Sequence, residues 1–207
     1  SEAPLKPIDY WEDNISMKKM RTYWGGLGNN LFQFSYLYSQ VREGKLPDIY
    51  LQDYKCFDNY KQELIDILKI DVVESDYVSL HIRRGDYVAN SFYVDLTQTD
   101  YYDKAIAKFP NEMFLVFCAD RQGTDDTLDQ EWCMNWLEAK YGERFKLFKG
   151  FTEVEDFNNM CGAKSHIMAN SSFSFWASYV GGGRTIAPSK WFTDGRSISL
   201  PEEFILI

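Results

Sequence analysis

The chain is poor in histidine and cysteine. It has two histidines, His81 and His166, and four cysteines, Cys56, Cys118, Cys133 and Cys161, none in a Cys-X-X-Cys spacing. That scarcity argues against a zinc site or a disulfide framework. The cysteines read instead as small buried hydrophobes, with Cys118 in an apolar strand-like run and Cys133 in a helical pattern. Basic residues are outnumbered, 22 against 31 acids for a net charge of −9, which argues against a general nucleic-acid binder or a partner of anionic membrane surfaces. Any polyanion bound here is small and met by local basic residues, a nucleotide rather than a duplex. No apolar run reaches the roughly 18 residues of a membrane span, and no signal-peptide pattern opens the chain. The expectation is a cytoplasmic protein without a membrane span. What is present, 45% hydrophobic and 17% aromatic residues over 207 positions, fits a packed globular fold.

Residues 1–19 are polar, aperiodic and contain two prolines, and read as a leader or wrapped arm. Met20–Trp24 is β-like and is broken by Gly25-Gly26-Leu27-Gly28, after which Asn29 or Asn30 is placed to cap a helix running to Val41. Asp48–Leu51 reads as a strand and Gln62–Ile70 as a helix with Leu64, Ile65, Ile67 and Leu68 on its apolar side. From Tyr77 the pattern alternates. Strands are expected at 77–82, 113–118, 145–148, 166–169 and 184–187, and helices near 100–109, 128–141, 153–161 and 171–179. This is the pattern of βαβ units on a parallel sheet. The acidic stretch Asp71–Asp76 is the best boundary, separating a small α/β portion (1–75) from a nucleotide-type domain (76–207).

Four motifs carry chemistry. In Val78-Ser79-Leu80-His81-Ile82-Arg83-Arg84-Gly85-Asp86-Tyr87 an apolar strand opens into two arginines, a glycine and an acid. Open α/β sheets bind ligands at strand carboxyl ends, and the rigid guanidinium fork suits a phosphate. The plainer alternative is an arginine pair held by Asp86 and nearby acids. The turn Gly25–Asn30 lets backbone approach an anion at a helix N-terminus, yet it lacks the Gly-Lys-Ser/Thr and GxGxxG patterns. His166–Ala169 followed by Asn170-Ser171-Ser172-Phe173 is a strand, a polar break and an aromatic-rich helix. Its start supplies phosphate donors or, equally, an ordinary N-cap. Phe114–Cys118 runs on to Asp120, an acid placed to accept from a nucleotide or simply to start a turn. No Asp-X-Asp occurs in the sequence, and Asp125-Asp126 and Glu153-X-Glu155 are poor substitutes for that metal-holding acid pair.

In this order the Gly-Gly-Leu-Gly-Asn-Asn, His-X-Arg-Arg-Gly-Asp-Tyr, Phe-Cys-Ala-Asp and Asn-Ser-Ser-Phe-Ser-Phe-Trp elements, with Tyr101-Tyr102 and Ile186-Ala187-Pro188-X-X-Trp191-Phe192, resemble the α-1,2-fucosyltransferases of glycosyltransferase family 11. The likeness covers most of residues 20–192. It implies a GT-B-like α/β enzyme in which a C-terminal Rossmann-like nucleotide-binding domain faces a reduced N-terminal α/β portion on the acceptor side. It further implies inverting, metal-independent transfer of fucose from GDP-β-L-fucose to an oligosaccharide acceptor, on the 2-hydroxyl of a terminal galactose, with no cofactor. Arg83 would stabilise the departing GDP, with Arg84 holding the loop or assisting, and His81 would touch the nucleotide. Gly26, Leu27, Gly28 and Asn29, together with Asn170, Ser171, Ser172 and Phe173, would frame the pyrophosphate. Asp120 would meet the guanine or ribose. Asp86 is the candidate general base, or an ion-pair partner orienting the arginines.

The chain departs from the family pattern. It is shorter than typical members, with about 50 residues between the glycine turn and His81, so the acceptor side is reduced. Asn30 stands where glutamine is usual, and Ala119 where an acid often precedes the strand-end Asp. Two alternatives stay open: transfer from another GDP-sugar, and a degenerate nucleotide-sugar binding module without transfer activity.

Overall fold

The computed structural model describes residues 27–45, 52–88, 90–118 and 126–207, and the chain divides into two compact units, Ser1–Cys56 and Phe57–Ile207. In the first unit, helix α1 spans Leu27–Arg42. It starts earlier than the expected asparagine cap, because Asn29 and Asn30 lie inside its first turn. The amides of a first turn lack intrahelical partners, so weak helix formers are tolerated there. The strand-like runs 20–24 and 48–51, and with them Gly26, lie outside the described residues.

The second unit begins with a short helix α2, Lys61–Leu68. Of its expected apolar side, Leu64 and Ile65 are half-buried while Ile67 and Leu68 are 72% and 62% exposed. The helix lasts two turns and stops at Lys69, whose φ of 52° is left-handed, so its last turn never meets the core. The start of the unit is fastened elsewhere. Phe57 stacks on Trp176 at 4.9 Å between ring centroids, and Tyr179 Oη donates to Asp58 Oδ1.

A regular alternation follows: β1 (Ser75–His81), α3 (Tyr101–Ala107), β2 (Phe114–Phe117), α4 (Asp126–Tyr141), β3 (Phe145–Leu147), α5 (Glu153–Cys161), β4 (Ala163–Ile167), α6 (Ser172–Gly181), β5 (Arg184–Ala187) and β6 (Ile205–Leu206). The six strands form one sheet in the order β3-β2-β1-β4-β5-β6, every pairing parallel. β4 starts three residues before its expected position, because Lys164 and Ser165 conceal its first residues in an apolarity reading. β6 is two residues long and too short to show any period.

Strand alternation assigns the two faces. Val78, Leu80, Ile82, Phe114, Val116 and Ile167 pack with Tyr101, Tyr102, Ala105 and Ile106 of α3 and with Cys133 and Leu137 of α4. Leu115 and Phe117 point the other way, onto Met160 and Cys161 of α5 and Ala177 of α6. Helices therefore cover both faces, which is why β2 is buried along its whole length and reads as an unbroken apolar run. The topology is that of a Rossmann-like doubly wound sheet. From β1 the chain runs outward to β2 and β3, then returns to place β4 on the other side of β1. The direction in which the chain winds across the sheet thus reverses between β1 and β4, and ligands bind at such switch points, outside the strand carboxyl ends. Among the described residues no helix is long and apolar enough to cross a membrane.

Candidate functional site

Two of the sequence motifs leave the sheet at this switch point. β1 and β4 are direct neighbours, with Ser79 opposite His166 and Leu80 opposite Ile167. His81 and the arginine pair therefore emerge beside Asn170, Ser171 and Ser172. Gly85, at φ 63°, turns the chain just past the arginines into a one-turn 3-10 segment, Gly85–Tyr87, that contains Asp86. A side chain at that φ would be strained, so the glycine belongs to the turn.

The two arginines do different things. Arg84 is sandwiched against α4: its guanidinium carbon lies 3.6 Å above the Trp132 ring centroid, and Nε is 3.3 Å from Asp129 Oδ1. Arg83 lies 4.9 Å from the Tyr87 ring centroid, is only part-buried, and is near enough to His81 to help hold that imidazole neutral. The acid that holds one arginine is thus Asp129 of α4. Its spacing from Trp132 places both on one helix face, but nothing local in the sequence ties that face to residue 84.

His81 is 5% exposed, with its ring 5.9 Å from that of Phe173. Burial first, and Arg83 second, lowers its pKa to about 3, so it is uncharged at working pH. Its buried Nδ1 has no hydrogen-bond partner among the described residues, leaving a polar atom at the crevice for a ligand to satisfy. One register step back, Ser79 Oγ and His166 Nδ1 meet at 2.8 Å inside the core. Burial lowers the His166 pKa to about 4, against a smaller opposing pull from the Gly182 carbonyl.

At the exit of β4, Ser171 caps α6 with an extended backbone, its Oγ accepting from the Phe173 amide. Ser172 is exposed at the helix start, where first-turn amides lack intrahelical partners and favour an anion. Ser174 Oγ accepts from the Ala169 amide at 3.2 Å, which locks the strand-to-helix turn. Asn170 is spent on the frame. Its amide nitrogen donates to the Val94 and Trp191 carbonyls at 2.9 and 3.0 Å, tying two loops to the strand end. Two tyrosines brace the crevice from α3. Tyr102 Oη donates to the His81 carbonyl at 2.8 Å, and Tyr101 Oη to the Met168 carbonyl at 2.7 Å. Burial pushes both phenols well above the ordinary range.

The structure therefore brings together His81, Arg83, Arg84, Asn170, Ser171, Ser172 and Phe173. Leu27, Gly28 and Asn29 open α1 of the first unit, while Gly26 and Asp120 lie outside the described residues. The roles of Asp129, Trp132 and Tyr87 were missed by sequence reasoning, since each acts across the fold or through a ring contact that no spacing encodes. An open cleft of about 530 Å³ lined by Glu74, Ser75, Asp76 and Lys164 lies at the amino ends of β1 and β4, away from this constellation.

Comparison with known proteins agrees with the motif order. An alpha-1,2-colitosyltransferase of Escherichia coli is 36% identical over 63% of this chain and 45% of its own length. The O-antigen biosynthesis glycosyltransferase WbnK of Escherichia coli is 24% identical over 78% of this chain and 60% of its own. A galactoside alpha-(1,2)-fucosyltransferase 2 of Sus scrofa is 25% identical over 66% of this chain and 41% of its own. The chain spans about half the length of these curated relatives, and no solved structure matches it significantly. The model of glycosyl transferase family 11 matches residues 16–199, nearly the whole sequence and every motif named above, and the chain belongs to that family.

Proposed function

We propose that the protein is an inverting glycosyltransferase that moves L-fucose from GDP-β-L-fucose to a hydroxyl of an acceptor glycan, the 2-hydroxyl of a terminal galactose. The observation that carries this reading is the pairing, across one switch point, of the Arg83-Arg84 exit of β1 with the Ser171-capped start of α6. In the proposed reaction the acceptor oxygen forms a bond to C1 of fucose while the bond from C1 to the β-phosphate oxygen breaks. GDP leaves with the electron pair, and the acceptor proton passes to a base. Negative charge grows on the β-phosphate, and Arg83 with the α6 amides supplies preorganised donors to it. Removing one such donor typically costs about 10²–10³ in kcat. Arg84, held by Trp132 and Asp129, fixes the loop that carries Arg83. Neutral His81 offers Nδ1 to the nucleotide without adding charge. With no Asp-X-Asp in the sequence, these residues take the charge-stabilising part without a metal.

Asp86, one residue past Gly85, is proposed as the base or as the group orienting the arginines. Asp120 is proposed to meet the guanine or ribose, and the glycine turn Gly26–Asn29 to frame the pyrophosphate. A GT-B-like arrangement, with residues 1–75 on the acceptor side and 76–207 holding the donor, completes the proposal. A second reading, transfer of another GDP-activated sugar, draws support from the relative named for colitose. The test is calorimetry in EDTA with GDP-fucose, GDP-colitose, GDP-mannose and UDP-galactose on the wild type and Arg83→Ala, followed by transfer assays. Guanine-selective binding and turnover, both lost in Arg83→Ala, are expected. Tight binding without turnover on any acceptor would leave a binding module, and absence of guanine-nucleotide binding would sink the donor assignment.

A further inference from the structure

We propose that Phe151 is the stacking platform for the donor's base, an assignment that rests on the nucleotide-sugar reading above. The side chain is 96% exposed. Exposure alone says little about one apolar residue; its mounting and its place say more. The main chain around it is pinned to the start of α5. The Gly150 amide donates to Asp156 Oδ1 at 2.9 Å, the Phe151 amide to Glu155 Oε2 at 2.8 Å, and Thr152 Oγ1 accepts from the Glu155 amide at 3.1 Å. Any side chain at position 150 would collide with Asp156, so the glycine lets this loop close down on the helix. The fastened main chain thus presents a phenyl ring to water.

The position follows from the sheet. The Phe148 amide donates to the Val116 carbonyl at 2.9 Å, and the Phe148 and Phe117 ring centroids are 5.3 Å apart. The chain leaving β3 is therefore tied to the carboxyl end of β2, and Phe151 follows three residues later. Neighbouring strands lie about 4.8 Å apart, so the end of β3 stands roughly 10 Å across the sheet from the exit of β1, where Arg83 sits. The face is also shared. His81 touches Phe173, and Phe173 meets Phe157 of α5 at 5.7 Å, so α5 walls the side of the sheet on which His81 lies.

The opposite direction is filled. Beyond β4, Tyr93 pairs with Phe192, the Val94 amide bonds to the Trp191 carbonyl, and Asn170 fastens both segments. A nucleotide with its diphosphate at the switch point therefore extends over β2 toward β3, and its base arrives where Phe151 stands. Aromatic stacking accepts any base in proportion to its π surface, so Phe151 supplies affinity for a purine while other groups choose among purines.

The test is calorimetry on the full chain with GDP, UDP and inorganic pyrophosphate, comparing the wild type with Phe151→Ala and Phe151→Trp. Phe151→Ala is expected to weaken GDP binding about 5- to 100-fold, to weaken UDP less, and to leave pyrophosphate affinity and melting temperature unchanged. Phe151→Trp is expected to retain GDP binding. Equal GDP affinity in the wild type and Phe151→Ala overturns this assignment and leaves the donor reading standing. Failure of the wild type to bind GDP overturns the donor reading, and this assignment with it.

Discussion

The phenol of Tyr102 donates to the main-chain carbonyl of His81 at 2.8 Å, and both groups are buried. The bond joins α3 to the last residue of β1, so the exit of the arginine motif is braced from the helix face opposite His81's own ring. Tyr102→Phe removes the donor and leaves the carbonyl buried without it, a loss of about 1–3 kcal/mol. In a chain of this size each kcal/mol moves the melting temperature about 2–4 °C. The expected result is a melting point several degrees lower, with weaker donor binding than in a surface variant of equal stability. An unchanged melting point would show that the carbonyl finds another partner.

Arg84 is expected to matter for stability more than for chemistry. Its guanidinium covers Trp132 and reaches Asp129, with side-chain exposures of 13% and 18% for the ion pair. Cation–π contacts contribute about 0.5–2 kcal/mol, the upper end when desolvated. A double-mutant cycle on Arg84→Ala and Trp132→Ala, followed by denaturant unfolding, should give a coupling energy in that range. Arg83→Ala should remove turnover while lowering the unfolding midpoint less than Arg84→Ala does. If the two arginines exchange these phenotypes, their division of labour is wrong.

Much of this architecture was legible in the chain. Parallel strands covered on both faces are continuous apolar runs, so Phe114–Phe117 announced itself, and the helical pattern near 153–161 became α5. What stayed hidden was carried by tertiary contact. Lys164 and Ser165 masked the start of β4, and β6 exists only because β5 offers it an edge. Ile67 and Leu68 have helical spacing yet face water, since periodicity reports a face and not what covers it. In the site, the arginines and the Asn-Ser-Ser turn were visible as residue types. The split between a braced Arg84 and a part-buried Arg83 depends on α4, whose Asp129 lies 45 residues downstream.

The two histidines set an acid-side stability profile. Folding lowers the pKa of His81 to about 3 and of His166 to about 4, against about 6.5 in an unfolded chain. Between those values the unfolded state binds protons that the native state refuses, so stability rises with pH across that window. The contribution is fully present above about pH 6.5 and is lost as pH falls toward 4, at up to about 1.4 kcal/mol per pH unit for each histidine. Urea midpoints measured from pH 7 to pH 4.5 should fall steadily in the wild type and less steeply in His166→Gln. An identical slope in that variant would remove His166 from the account.

Tyr87 is the remaining lever on the proposed transfer reaction. Its ring stacks on Tyr93 with centroids 4.0 Å apart and carries the Arg83 guanidinium on its surroundings at 4.9 Å, so an aromatic support runs from the 91–93 loop to the arginine proposed to meet the β-phosphate. A positioning residue of this kind acts through geometry, and a displacement of about 1 Å at a reacting group costs up to 10²-fold in rate. Tyr87→Ala is therefore expected to lower kcat by tenfold or more, with a smaller change in donor KM. Tyr87→Phe, which keeps the ring and loses only the hydroxyl, should restore most of the rate. If phenylalanine fails as badly as alanine, the hydroxyl and not the stack is what the reaction uses, and Arg83 takes its orientation from elsewhere.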